Sequence, residues 1–142
     1  IKSKMNKDAK DSGRFFVIEG TDGSGKATQS RILIDRLVKE GYDVVTLDFP
    51  QYGGDSSYFV REYLAGDYGG IDEVSPYSAT TFYALDRYST KLKVKEALKN
   101  GKVVISNRYV GSNMAHQGAK FDKKEDRRGF FLWNDSFEFE ML

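Results

Sequence analysis

The chain has 142 residues, 39% of them hydrophobic and 30% charged, and carries a formal net charge of +1. That balance fits one ordinary globular domain with its own core, and it removes the bulk electrostatic case for nucleic acid or acidic membranes as partners. The absence of cysteine excludes disulfides, thiolate metal sites and cysteine nucleophiles, and no apolar run approaches the roughly 20 residues of a membrane span.

Residues 1–13, "IKSKMNKDAKDSG", are polar and basic with no apolar stretch, unlike a secretory signal. They read as a mobile leader or an expression remnant, with Met5 a candidate native start, and the expected setting is the cytoplasm. Residues 14–142 read as one core. Arg14–Glu19, "RFFVIE", predicts a strand buried on both faces. A glycine-rich loop follows. Ala27, Ser30, Ile34, Leu37 and Val38 then recur at helical spacing, with Gly41 as the stop. "DVVTLDF", Asp43–Phe49, predicts a second buried strand ended by Pro50. Ser56–Gly66 predicts a short helix. Ser75-Pro76 is an N-cap followed by proline at the first helical position. It opens a helical stretch to about Asn100, broken near Ser89-Thr90 and stopped by Gly101. Lys102–Ser106 predicts a third buried strand, and Tyr109–Leu142 predicts mostly helix, interrupted near Gly118. The alternation implies an α/β fold with a parallel sheet and right-handed crossovers, in which ligands bind beyond the C-terminal strand ends. Gly20–Lys26, Phe49-Pro50 and Asn107-Arg108 lie at those ends.

"GTDGSGKAT", Gly20–Thr28, nearly completes the phosphate-loop pattern G-x-x-x-x-G-K-[ST]. A glycine-rich turn with an exposed lysine is the bland alternative. Placement between a strand and an amphipathic helix favours a nucleotide site. Gly20, Thr21, Asp22, Gly23, Ser24, Gly25, Lys26, Ala27 and Thr28 would wrap the phosphates with backbone N–H groups, and Lys26 would reach the outer phosphates. Asp22 is odd inside an anion loop; it either faces solvent or meets a sugar hydroxyl or a cation. Ala27 lacks the hydroxyl that usually touches Mg²⁺, and Asn107 stands where a carboxylate would help hold it. Glu19 and Asp22 are the carboxylates within reach, and no residue is assigned as a metal ligand.

A phosphate-transfer site must also hold an acceptor. Tyr83 and Arg87 share one helix face and suit a nucleobase by stacking and by hydrogen bonding; the alternative is a core tyrosine beside a surface salt bridge. Arg108 suits a phosphate, the alternative being an ion pair with Asp86. His116, the sole histidine, receives no general-base role, because phosphoryl transfer depends on positioning and electrostatics. The basic run "KLKVKEALKNGK" reads as a solvated helix face.

Taken together, "EGTDGSGKATQ", "DFPQYG", "FYALDRY" and "SNRYVGSNMAHQGAK" make the chain, from about Phe15 to Leu142, resemble the thymidylate kinases of the P-loop nucleoside-monophosphate kinase superfamily. The resemblance implies a P-loop NTPase three-layer sandwich of which the first three strands are represented here. It implies an ATP-dependent phosphotransferase that converts dTMP to dTDP with Mg²⁺, with Lys26, Arg108 and Asp22 as catalytic residues. Asp22 would meet the deoxyribose 3′-hydroxyl. Phe49, Pro50 and Tyr52 would line the acceptor pocket, and Tyr83 would stack on thymine where the family usually has phenylalanine. Arg87 would bond the base, Arg108 the acceptor phosphate and Asn113 the base edge. His116 falls where a tyrosine often disfavours a ribose 2′-hydroxyl, and Gln117 follows it. Ala27, Asn107 and His116 depart from the common pattern, as do Gln51 and Tyr52, which replace a basic residue. The resemblance also implies a lid arginine, further strands and an adenine loop; none is matched, so the chain is expected to be C-terminally incomplete and unable to catalyse alone. It allows a homodimer, which the weak helical alternation cannot argue. The competing readings are a kinase for another nucleotide or a deoxynucleoside, and a nucleotide-binding module without turnover.

Overall fold

The structure is a computed structural model describing residues 13–142. The expected leader lies outside the described residues except for Gly13, whose N–H donates to the Leu98 carbonyl at 3.1 Å. The described residues form two compact units, one running to Asp48 and resuming over Thr90–Asn107, the other made of Phe49–Ser89 and Arg108–Leu142.

The first unit carries the sheet. Strands β1 (Arg14–Ile18), β2 (Val44–Asp48) and β3 (Val103–Asn107) stand in the order β1-β3-β2, and both pairs are parallel. Valine, isoleucine and threonine dominate β2 and β3, as the half-buried pleat favours. The register pairs Ile18 and Asp48 with Asn107, so the three C-terminal ends are level. The expectation that every strand is buried on both faces holds only for β3. Phe16 and Val17 are exposed on β1, and β2 is partly exposed. Among the described strands β3 is the central one, flanked by β1 and β2. Helix α1 (Lys26–Lys39) follows β1 and buries Ser30 on its inner face. It ends at Gly41, whose φ of 86° glycine adopts freely.

The second unit is helical. A 3₁₀ turn, Asp55–Ser57, leads into α2 (Tyr58–Ala65), and α3 spans Pro76–Tyr88. Ser75 Oγ caps α3 by accepting from the Tyr77 N–H at 3.3 Å, as its sequence predicts. The predicted break at Ser89-Thr90 is the point where the chain leaves this unit; α4 (Lys91–Lys99) belongs to the sheet unit and turns its lysines outward. Helices α5 (Val110–Gly118) and α6 (Lys124–Ser136) follow, then a π turn at Phe137–Met141. The core joins Tyr63, Val74 and Ala79 to Phe82 and Tyr83. Tyr77, Phe121, Phe130 and Trp133 make a second aromatic group, with the Tyr77 and Trp133 rings 4.7 Å apart. Among the described residues no helix is long and apolar enough to cross a membrane.

Candidate nucleotide-binding site

The phosphate loop joins β1 to α1. Gly23 and Gly25 take φ values of 76° and 86°, conformations that a Cβ would strain. Gly20 has a different reason to be glycine. A Cβ there would come within 2.8 Å of Ser24 Oγ and 3.3 Å of Lys26 Cγ, so its bare Cα lets the lysine fold back over the loop. Lys26 Nζ donates to the Thr21 carbonyl at 2.6 Å and lies 3.9 Å from Asp22 Oδ1. Asp22 itself is 90% exposed at the mouth of the loop. Helix α1 begins with no side-chain cap and no acid in its first turn. An anion there would meet unsatisfied N–H groups and the positive end of the helix dipole. Thr21, Ser24, Ala27 and Thr28 complete the exposed loop.

Beside the loop, Ala27, Ser30, Asp48 and Asn107 line a cavity of about 270 Å³. Asn107 Nδ2 donates to Asp48 Oδ1 at 2.7 Å, while Asn107 Oδ1 and Ser30 Oγ are buried without partners. The carboxylate missing from the end of β3 is therefore present one strand away, a feature that only the strand order reveals.

The residues expected to hold an acceptor lie in the second unit. Tyr83 is half-buried on α3, its ring 6.4 Å from Tyr63. Burial, followed by Tyr52 and Tyr63, pushes its hydroxyl up to about 12, while Arg108 and Arg87 pull it down. Tyr52, Tyr83, Arg87 and Arg108 thus share one electrostatic neighbourhood. Arg87 is buried rather than a surface arginine; it pairs with Glu138 and lies over the Tyr109 ring, 5.7 Å from its centroid. Phe49, in a cis peptide with Pro50, is buried against Tyr109 at 5.8 Å. Tyr109 is itself raised above its usual value, chiefly by burial. Arg108 donates to Ser112 Oγ at 3.1 Å from a backbone φ of 63°. Asn113 and Gln117, one turn apart on α5, are buried. Both amide atoms of Asn113 and Oε1 of Gln117 lack partners, as does the buried Thr80 Oγ1 on α3, which packs against α5. His116 is exposed on α5.

Two features of this unit were missed from sequence. Asp86 accepts from Gln51 N at 2.9 Å, from Gln51 Nε2 at 3.1 Å and from Ser56 Oγ at 2.6 Å, so its carboxylate anchors the segment after Pro50. Arg61 Nη1 donates to the Gly54 carbonyl and to Ser57 Oγ, each at 2.7 Å. Only the excess of hydrogen-bonding side chains at 51–57 hinted at either.

A strand, an uncapped glycine loop and a helix beside a parallel sheet define an α/β protein of the P-loop phosphate-binding class. The thymidylate kinase family matches residues 18–136, and the chain belongs to that family. A probable thymidylate kinase of Thermococcus onnurineus is 40% identical over 110 residues, covering 75% of this chain and 54% of its own. The thymidylate kinase structure from Candida albicans superposes with a TM-score of 0.72 at 25% identity, over 88% of this chain and 56% of that one. That from Ehrlichia chaffeensis gives 0.66 at 29% identity, over 87% and 67%. The chain spans about half the length of the curated relatives it matches.

Proposed function

We propose that this chain supplies the phosphate loop and the acceptor-binding residues of an ATP-dependent kinase that transfers the γ-phosphate of ATP to dTMP, giving dTDP. The ATP phosphates bind the backbone of Gly20–Thr28 with Lys26 on their outer oxygens. Arg108 receives the dTMP phosphate, Tyr83 stacks on the base, and Phe49, Pro50 and Tyr52 line the pocket. Asp22 reaches the 3′-hydroxyl, and His116 lies towards the 2′ position.

The observation that carries the acceptor assignment is the set of unpartnered buried amides. A buried polar atom left unsatisfied costs about 1–3 kcal/mol. Asn113 and Gln117 together leave three such atoms on a helix packed against the one bearing Tyr83 and Arg87. The imide edge of thymine, one donor between two acceptors, suits the Asn113 amide: its N–H would donate to Oδ1 and a ring carbonyl would accept from Nδ2.

Mg²⁺ fits as an ion carried by the nucleotide phosphates with much of its water retained. Among the described residues no cluster of three metal-ligating side chains exists, and Ala27 offers no hydroxyl. Asp48 and Asn107 Oδ1 would hold its waters. The ion's chemistry is to neutralise charge on the outer phosphates. The proposal extends to the cytoplasm and, by the family's habit, to a homodimer.

The test offers the full-length protein dTMP, dUMP, UMP, dCMP and thymidine with ATP. The expected result is dTDP as the preferred product and loss of turnover in Lys26→Ala. Preference for another acceptor would favour a different kinase. Tight binding of ATP and dTMP with no product would favour a binding module, the reading that Ala27 and Asn107 support.

A further inference from the structure

Arg87 is buried together with a carboxylate that base recognition does not itself require. Glu138, in the π turn and 51 residues further along, faces the guanidinium with both oxygens. Arg87 Nη2 donates to Oε1, and Nε donates to Oε2 at 3.3 Å. The two side chains are only 4% and 6% exposed. Tyr109 covers the guanidinium face. Stability is a poor reason for such a pair, because desolvating two charges often costs more than their attraction returns. Geometry is a better one. A bidentate carboxylate fixes the plane of a guanidinium, and Arg can only donate, so a fixed Arg87 selects for an acceptor. Glu138 also neutralises the buried cation, which suits Arg87 to a neutral carbonyl rather than a second phosphate.

We propose that Glu138 is a positioning residue that sets base selectivity by holding Arg87. The held guanidinium donates to a carbonyl on the base edge, as thymine and uracil offer, and rejects the amino group that cytosine presents there. This rests on the reading that Arg87 lies at the acceptor base.

The experiment uses the full-length protein as wild type, Glu138→Gln, Glu138→Asp and the double variant Arg87→Met with Glu138→Leu. Calorimetry gives dissociation constants for dTMP, dCMP and ATP, and NMR follows exchange of the Arg87 Nε–H in the ligand-free protein. In Glu138→Gln the dTMP affinity should fall roughly tenfold, the dTMP/dCMP preference should narrow by a similar factor, and ATP affinity should stay within about twofold. Exchange at Arg87 should quicken before any nucleotide is added, a change that a general loss of packing confined to other residues would not produce. Glu138→Asp keeps the charge but shortens the reach and should fall between, which keeps the test open if Glu138→Gln does not fold. Unchanged dTMP affinity and unchanged preference in a folded Glu138 variant would overturn the positioning role. A wild type indifferent between dTMP and dCMP, or a folded double variant that retains the preference, would instead overturn the placement of the base at Arg87.

Discussion

Arg108 carries a backbone conformation that its side chain does not favour. Among the described residues it is the one non-glycine with positive φ, at 63°. A left-handed residue with a Cβ costs about 1–2 kcal/mol, and such strain tends to persist where a site fixes the chain. Arg108→Ala should raise the KM for dTMP strongly while leaving ATP affinity unchanged; steady-state kinetics with each substrate varied reads this, and equal losses for both would count against the placement. Arg108→Gly should bind dTMP as poorly yet unfold later than Arg108→Ala, by about 1 kcal/mol, because glycine adopts this φ without penalty. Tyr83 makes a prediction of opposite character. Burial raises its hydroxyl from 10.0 to about 12, so the folded form holds its proton where the unfolded chain has lost it. Its contribution to stability is intact below pH 10 and drains away as the pH climbs from 10 to about 12. Tyr83→Phe should flatten the fall in unfolding free energy across that window without weakening dTMP binding, since a phenyl ring stacks as a phenol does. Denaturant titrations at successive alkaline pH values measure the slope. An unchanged slope would mean that the buried hydroxyl is not the group that titrates. Tyr109, raised in the same direction, leaves some slope in either protein.

Elements differ in how much of themselves the sequence declares. The start of α3 was plain, because Ser75-Pro76 is a local signal and the capping bond spans two residues. The break at Ser89-Thr90 was equally local. The burial of β1 and β2 was overstated for the opposite reason: an apolar run shows that a segment can be buried, but the strand order shows whether it is. The anchoring of the Pro50 segment was invisible because Gln51 and Asp86 are 35 residues apart. Gly118 shows a local signal with a non-local cause. The sequence predicts a helix interruption there, and Gly118 does end α5, but a Cβ at this position would meet Phe131 Cε1 at 2.5 Å. The glycine is thus also the gap into which α6 packs. Gly118→Ala should destabilise the fold by about 1–3 kcal/mol through overpacking, readable as a lowered midpoint in denaturant. A companion Phe131→Leu should recover part of that loss, which a purely conformational role for Gly118 would not allow.

At the scale of the whole molecule, the two ligands implied by the proposal belong to different compact units. The phosphate loop and α1 lie with the sheet, whereas Phe49, Tyr83, Arg87, Arg108 and Asn113 lie with the helices. The sequence places Gly20–Lys26, Phe49-Pro50 and Asn107-Arg108 at successive strand ends and Tyr83 with Arg87 on one helix face, which is enough to group them by chemistry. It gave no sign that the chain crosses from one unit to the other at Asp48/Phe49, Ser89/Thr90 and Asn107/Arg108, since compactness depends on contacts between distant segments. Ligands that bind only the folded state stabilise what they touch, by about 2.7 kcal/mol at a hundredfold excess over Kd, and amide exchange reports that effect locally. ATP alone should therefore slow exchange first across the Gly20–Ser30 loop and the start of α1. Given alone, dTMP should slow it across α3, α5 and the Gln51–Ser57 segment, whose N–H of Gln51 is already tied to Asp86. Exchange measured on the full-length protein with each nucleotide separately decides the matter. If dTMP protected the phosphate loop while leaving α3 and α5 unchanged, the acceptor would belong to the sheet unit, and the roles given to Tyr83, Arg87 and Asn113 would fall together.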